Sequence, residues 1–348
     1  MSRRVLCVRL DNLGDVLLAG PAVRAVALGS DHVTVLAGPH GAPAARLLPG
    51  VDEVMVWRCP WIDPNPPAVD RADTDGLVQQ LAAGAFDEAL VLTSFHQSAL
   101  PTALLLRWAG VGWVGAISDD YPGSLLDLRH RVSDDLPEPE RALSLASAAG
   151  FELPDSDGGR LRVRDPLPDV SHLTGDYPYV VVHPGTSAPA RAWPAWRHAE
   201  AVRLLVGAGW RVLVTGTADD TDLTGEVAAG GGTDLGGRTD LGELAAVLGG
   251  ASVLVAGNTG PAHLAAAVGT PVVSLFAPTV PALRWAPYGV PVELLGDQEA
   301  PCRDSRAMFC PVPGHPCLTQ VTGADVLAAV TRLAGSGTAV GVPELEEV

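Results

Sequence analysis

The chain has 348 residues, 47% of them hydrophobic and 18% charged, with a formal net charge of −17. That length accommodates two ordinary cores, and the composition is that of a folded globular protein. The acid is spread through both halves and sets a field that repels nucleic-acid backbones and anionic head groups, so neither partner is expected. Lysine is absent, which excludes Schiff-base or pyridoxal phosphate chemistry on a side-chain amine and the Walker pattern GxxxxGK[ST].

No apolar run reaches the roughly 18 to 20 residues that span a bilayer. The opening MSRRVLCVRLDNLGD is broken by Arg9 and Asp11 before it can form a signal-peptide core, so a cytoplasmic protein without membrane insertion is expected. Apolar strand-like runs alternate with helical stretches through the first half. Val5 to Leu10 leads to a helix from Asp15 to Leu28, Val33 to Ala37 to a helix from Ala44 to Leu48, and Val54 to Trp57 to a Pro-rich loop. A helix near Leu77 to Ala83, the strand Ala89 to Leu92, the helix Leu100 to Ala109, the strand Trp113 to Ile117 and a helix around Glu140 to Ala149 complete it. Continuous apolar strands separated by helices make a parallel sheet covered on both faces.

The segment from Pro154 to Pro178, rich in Pro, Asp, Gly and Arg, reads as an interdomain connection. The alternation then restarts with Tyr179 to His183, Trp196 to Ala208 and Arg211 to Thr215. Asp240 and Glu243 stand at capping-box spacing before a helix that reaches Leu248. After Gly257 come a short helix opened by Pro261, the strand Val272 to Phe276 and a last helix from Gly323 to Leu333. The expected fold is α/β with two doubly wound Rossmann-like domains facing a central cleft, divided as residues 1–168 and 169–336, with 337–348 a loose tail. Ligands of such sheets bind beyond the strand C-termini. The turns that matter are therefore Asp11 to Asp15, His183 to Arg191, Gly216 to Asp220 and Gly257 to His263.

The stretch SVLVAGNTGPAHLAAAVGTPVVSLFAPT, Ser252 to Thr279, is the most informative. Proline costs nothing in a first helical turn, and the turn before it points N–H groups outward with the positive end of the helix dipole behind them, a site for a pyrophosphate. It lacks the GxGxxG spacing of dinucleotide folds. Cys7 and Cys59 read as core. Cys302, Cys310 and Cys317 share a loop with His315, but without the CxxC knuckles of a zinc site no metal is assigned.

Three segments together resemble glycosyltransferase family 9, the ADP-heptose heptosyltransferases of bacterial lipopolysaccharide core synthesis and their relatives: VLCVRLDNLGDVLLAGPAV, VVVHPGTSAPARAWPAWRHAEAV and GNTGPAHLAAAVGTPVVSLFAPT. The resemblance implies the GT-B fold, an acceptor on the N-terminal domain and a nucleotide-sugar donor, ADP-sugar favoured, on the C-terminal one. It also implies an inverting displacement without metal or other cofactor. Asp15, in the family's Gly-Asp turn with Asn12 and Gly14 beside it on the acceptor side, is then the general base. Arg191, at a position where the family has lysine, would hold the diphosphate with Thr186 and Ser187. Asp219 or Asp220 would take the ribose hydroxyls, and Asn258, Thr259, Gly260, Pro261 and His263 would line the sugar-diphosphate site.

Asn258 stands where the heptosyltransferases usually carry Asp, which leaves the sugar open, with heptose first. Ser305 replaces the second Cys of a frequent CxxC. Residues up to Gly150 include 18 acidic against 11 basic side chains, which suits a soluble, neutral or cationic hydroxyl acceptor better than an anionic lipid. Two alternatives stand beside the transferase. A sugar-nucleotide 2-epimerase would turn over donor without acceptor, and a non-catalytic nucleotide-sugar-binding partner would turn over nothing. His263 reads equally as a buried structural histidine, and Trp193 and Trp196 read as packing at a helix start.

Overall fold

The computed structural model describes residues 3–132 and 136–335. The expected tail, and residue 336 with it, lies outside the described residues. Twelve strands form two sheets: β1 (Arg4–Arg9), β2 (His32–Ala37), β3 (Glu53–Val56), β4 (Glu88–Val91), β5 (Trp113–Ile117) and β6 (Leu128–His130) in the first, and β7 (Tyr179–His183), β8 (Arg211–Val214), β9 (Thr233–Asp234), β10 (Val253–Gly257), β11 (Val272–Leu275) and β12 (Val292–Leu295) in the second. Helices α1 (Leu13–Leu18), α2 (Gly20–Leu28), α3 (Ala42–Leu47), α4 (Arg71–Gly84), α5 (Leu100–Trp108) and α6 (Glu138–Ala148) accompany the first sheet. Helices α7 (Ser171–Thr174), α8 (Ala195–Gly207), α9 (Thr221–Ala228), α10 (Leu241–Gly249), α11 (Gly260–Ala267), α12 (Ala282–Trp285), α13 (Pro316–Thr319) and α14 (Gly323–Gly335) accompany the second.

Every strand pairing is parallel. The sheet orders are β3-β2-β1-β4-β5-β6 and β12-β11-β10-β7-β8-β9. Read from each half's own first strand, both follow the 3-2-1-4-5-6 order of doubly wound nucleotide folds, as expected from the sequence. The central strands are dry: Val5, Leu6, Cys7 and Val8 of β1 are at most 1% exposed, as are Val180, Val181 and Val182 of β7.

Local chemistry sets the element ends. The expected helix from Asp15 to Leu28 is two helices meeting at Ala19, because Pro21 opens α2 and has no N–H to carry the ladder across the junction. α4 begins six residues before the expected Leu77, since the Asp70 carboxylate accepts from the N–H of Asp73 at 2.8 Å and caps it. The capping box at α10 is formed in both directions, Glu243 N–H to Asp240 at 2.8 Å and Asp240 N–H to Glu243 at 2.9 Å. β6, β9 and β12, edge or edge-proximal strands of two to four residues with little fully buried apolar sequence, have no signature of their own.

The connection between the sheets is tied first to one half, then to the other. Arg24 pairs with Asp157 at 2.6 Å, and the Arg164 N–H donates to the Leu47 carbonyl at 2.7 Å. Beyond it, Arg211 donates to the carbonyl of Leu173 in α7. One apolar cluster runs from Val5, Val23 and Val35 through to Leu244, Val247 and Leu254, so the two halves share a dry contact.

At the start of α8, Trp193 is 3% exposed and donates from its indole N–H to the carbonyls of Leu318 and Val321, whereas Trp196 is 56% exposed under the Arg197 guanidinium. His198 packs edge-on against Trp193, ring centroids 4.7 Å apart, and burial pulls its pKa down to about 3. Its folded-state pKa lies below the ordinary value near 6.5, so the folded chain binds fewer protons there. The stability is present above about pH 6.5 and is lost as pH falls below it, by about 1.4 kcal/mol per pH unit. His198→Leu should flatten the pH dependence of unfolding free energy between pH 6 and 4.5 by about that slope. An unchanged slope in chemical denaturation would contradict a neutral buried imidazole.

Candidate active site

The strand order reverses between β1 and β4 in the first sheet and between β7 and β10 in the second. At such a reversal the neighbouring connections leave on opposite faces and open a crevice beyond the strand C-termini. The two crevices meet in one cavity of about 480 Å³, lined by the turns after β1 (Asp11, Asn12, Gly14, Asp15), β4 (Ser94, His96, Gln97), β7 (Ser187, Ala188, Arg191) and β10 (Asn258, Thr259, Gly260, His263). Arg306 and Met308, from the loop after β12, close one side. A smaller cavity of about 180 Å³, bordered by Asp119, Asp120 and Arg141, joins it at His96 and Gln97.

The first-sheet side is organised by one guanidinium. Arg9, at the end of β1 and 3% exposed, lies 3.0 Å from Asp11 and 3.2 Å from Asp15, and donates to the Ser94 hydroxyl at 2.8 Å. Asp15 is the third residue of α1, and its carboxylate remains partly open to the cavity. Gln97 donates to Asp11. Burial, opposed by Arg9 and reinforced by the charge of Asp15, pushes the Asp11 carboxyl up to about 6.

The second-sheet side offers donors. α11 starts at Gly260 with no side chain capping it, which leaves the positive end of its dipole to a ligand. Around it, Arg191 Nε, Asn258 Nδ2 and His263 Nδ1 are buried without a hydrogen-bond partner among the described residues. A buried donor left unpaired costs about 1 to 3 kcal/mol, which ligand oxygens would recover. Burial holds the His263 pKa down to about 4 against the opposing pull of Asp15, so its imidazole is neutral at neutral pH. Burial also lowers Arg191, which nevertheless stays cationic.

Of the residues singled out in the sequence, Asn12, Gly14, Asp15, Ser187, Arg191, Asn258, Thr259, Gly260 and His263 share this cavity. Thr186 does not line it. Its hydroxyl is engaged by its own loop, accepting from Ala188 N–H at 3.1 Å and donating to the Ala188 carbonyl at 3.0 Å. Asp219 and Asp220 follow β8, one strand outward from the reversal, and Asp220 caps its turn by accepting from Thr217 N–H and Oγ1 at 2.9 and 2.7 Å. Pro261 shapes the first turn of α11 without lining the cavity.

Three parts of the site lie outside the candidates drawn from the sequence motifs. Ser94, His96 and Gln97 follow an apolar strand just as the other turns do, and that rule finds them. Arg9, a cation ending an apolar strand, signals a buried partner. Arg306, held in left-handed backbone (φ 56°) against His96, has no sequence signal. Cys302 and Cys317 are buried in the core of the second half, where burial, with Cys302 and Cys310 beside it, pushes the Cys317 thiol up to about 12. Among the described residues no group of three or more His, Cys, Asp or Glu is arranged to hold a metal ion.

The family model described as "Glycosyltransferase family 9 (heptosyltransferase)" matches residues 75–314. No curated protein matches the chain in sequence. Among solved structures, a glycosyl transferase family 9 protein from Veillonella parvula superposes with a TM-score of 0.78 at 18% identity, over 96% of this chain and 98% of that one. E. coli ADP-heptose lipopolysaccharide heptosyltransferase II does so with 0.71 at 19%, over 96% and 99%. An E. coli heptosyltransferase solved with ADP does so with 0.68 at 21%, over 95% and 99%.

The halves meet where α1 crosses α11. A Cβ on Gly14 would lie 2.8 Å from His263 Cδ2 and 3.4 Å from Gly260 Cα, and one on Gly260 would lie 2.6 Å from Leu13 Cδ2. Gly14→Ala should therefore cost about 1 to 3 kcal/mol of unfolding free energy by overpacking. In a His263→Ala background most of that cost should vanish, because the clashing ring is gone. Equal costs in both backgrounds, measured by urea denaturation, would show that the crossing is looser than described.

Proposed function

The chain belongs to glycosyltransferase family 9 and is a glycosyltransferase, and we propose that it transfers a sugar, heptose first, from an ADP-sugar to an acceptor hydroxyl with inversion and without a metal ion. The observation that carries the reading is one cavity with a carboxylate on one wall and unpaired buried donors on the other. Residues 1–168 would hold the acceptor and residues 169–336 the donor. The acceptor hydroxyl gives its proton to Asp15 as its oxygen attacks the anomeric carbon, while the bond from that carbon to the diphosphate breaks on the opposite face. Charge then grows on the departing ADP, where Arg191, Ser187, the α11 N-terminus and the Asn258 and His263 side chains stand ready. Fixed donors of this kind do the electrostatic work that a divalent ion does elsewhere.

Asp219, exposed beside the capped Asp220, is the freer of the two to reach a ribose hydroxyl that extends beyond the cavity. The acceptor-side wall carries Asp11 and Asp15, and Asp119 and Asp120 border the adjoining smaller cavity with Arg141. This favours a soluble neutral or cationic acceptor over an anionic lipid. Among the described residues no helix is long and apolar enough to cross a membrane.

Asp15→Asn should fold, because Arg9 keeps Asp11 and Glu138 as counter-charges. Its kcat should drop by roughly 10² to 10⁴, the scale of lost general-base catalysis, with donor affinity near that of the parent. Transfer within about threefold of the parent at saturating substrates would remove Asp15 from the mechanism. Arg191→Ala should lose on the order of 10²-fold in kcat/KM, the scale of one transition-state donor, in an assay indifferent to EDTA. Loss of activity with EDTA and its return with Mg²⁺ or Mn²⁺ would overturn the metal-independent scheme.

A further inference from the structure

Behind the cavity wall sits a carboxylate that the proposed mechanism does not use. Glu138 opens α6, is 2% exposed, and lies 3.8 Å from Arg9 Nη2 and 3.9 Å from Arg141 Nη1. Its Oε1 has no hydrogen-bond partner among the described residues. Arg141 is anchored by donating to the Thr93 carbonyl at the end of β4. Arg9 thus stands among three carboxylates. Asp11 and Asp15 face the cavity, whereas Glu138 lies behind it and does not line it.

A buried carboxylate without a full hydrogen-bond set is costly unless its charge is used. A guanidinium shared by three carboxylates stabilises each anion less than one devoted to a single carboxylate. We propose that Glu138 is a positioning residue: it draws Arg9 away from the cavity and takes a share of its charge, leaving Asp15 a stronger base than Arg9 alone would allow. The inference rests on the reading of Asp15 as the base.

The electrostatic surroundings agree in sign. Burial and the charge of Asp15 raise the affinity of Glu138 for a proton against the pull of Arg9 and Arg141, and Glu138 in turn raises that of Asp11. The remaining charged or titratable groups facing Asp15 are Arg9 and Asp11 beside it, His96 after β4, Arg191 and His263 across the cavity, and Arg306 from the loop after β12. Glu138 also faces Arg284. Because Asp11 and Asp15 share Arg9, the acid limb of a rate profile belongs to the pair.

The test is the pH dependence of kcat for sugar transfer by the full chain with saturating ADP-sugar and acceptor. Glu138→Gln keeps the volume and removes the charge. It should move the acid limb to lower pH by about half a unit to one unit and lower the plateau by roughly 3- to 10-fold, as a weaker base works more slowly. Arg141→Gln removes the opposite charge from the same cluster and should move the limb upward, a reversal that loss of packing cannot produce. Glu138→Asp, which retains the charge, should keep the limb near its parental position. Unmoved limbs in both Glu138→Gln and Arg141→Gln overturn the inference, whatever happens to the plateau. If Glu138→Gln does not fold, Arg141→Gln decides by itself. Asp15→Asn run alongside separates the two levels: loss of transfer there with unmoved limbs rejects only the role of Glu138, while retained transfer rejects the base and this inference with it.

Discussion

Everything at the cleft depends on how closely α1 and α11 approach. Neither Gly14 nor Gly260 has room for a methyl group without displacing the other half, so the backbones at the start of the two helices lie almost in contact. That approach sets the carboxylate of α1 opposite the uncapped N-terminus of α11. In the proposed reaction a wider crossing would move the Asp15 carboxylate away from the site offered to the diphosphate, and a misplacement of about 1 Å costs on the order of 10²-fold in rate. The continuous apolar cluster behind the crossing holds the geometry against the electrostatic cost of assembling so many charges in one crevice.

The repeated topology brings the turns of the two halves together. Both sheets reverse strand order beside their own first strand, so the turns after β1, β4, β7 and β10 converge, and His40 after β2, Asn65 after β3 and Trp285 after β11 add to the lining, while the turn after β8 does not reach it. The sequence shows that each turn follows a strand, but strand order is a property of the assembled sheet. For this reason Asp219 and Asp220 stand level with Arg191 when read along the chain, although only Arg191 lines the cavity. The central strands were readable because burial on both faces demands unbroken apolar runs in β1, β7 and β10. β6, β9 and β12, short and partly exposed, impose no such demand.

Residues of the site differ in legibility for a related reason. Asp15, Arg191 and the Asn258 to His263 turn sit in local motifs whose spacing carries meaning. Arg306 reaches the cleft on a loop far from either motif and is placed by its contact with His96 and by the stacking of Phe95 beneath it. Glu138 opens α6 two residues before the start expected from the sequence, and nothing in the chain marks it. Only the fold reveals that it is buried and turned toward Arg9.

The charge arrangement gives the cleft a direction. On the first-sheet wall Asp11 and Asp15 face the cavity around Arg9, with Glu138 and Arg141 paired behind it, so the wall carries more carboxylates than guanidinium groups and a hydroxyl approaching it meets acceptors for its proton. On the second-sheet wall Arg191, Arg306 and a helix N-terminus offer positive potential with no carboxylate of their own half in contact. A diphosphate is attracted to one wall and repelled by the other, which orients the donor before any specific hydrogen bond forms. The same asymmetry acts on the second substrate: an anionic acceptor would have to approach Asp11 and Asp15 against their field, whereas a neutral or cationic one would not. Under the proposed reaction the same field would position the leaving group and select the acceptor, and it arises from an Arg-centred acidic cluster and an uncapped helix on opposite sides of one glycine crossing.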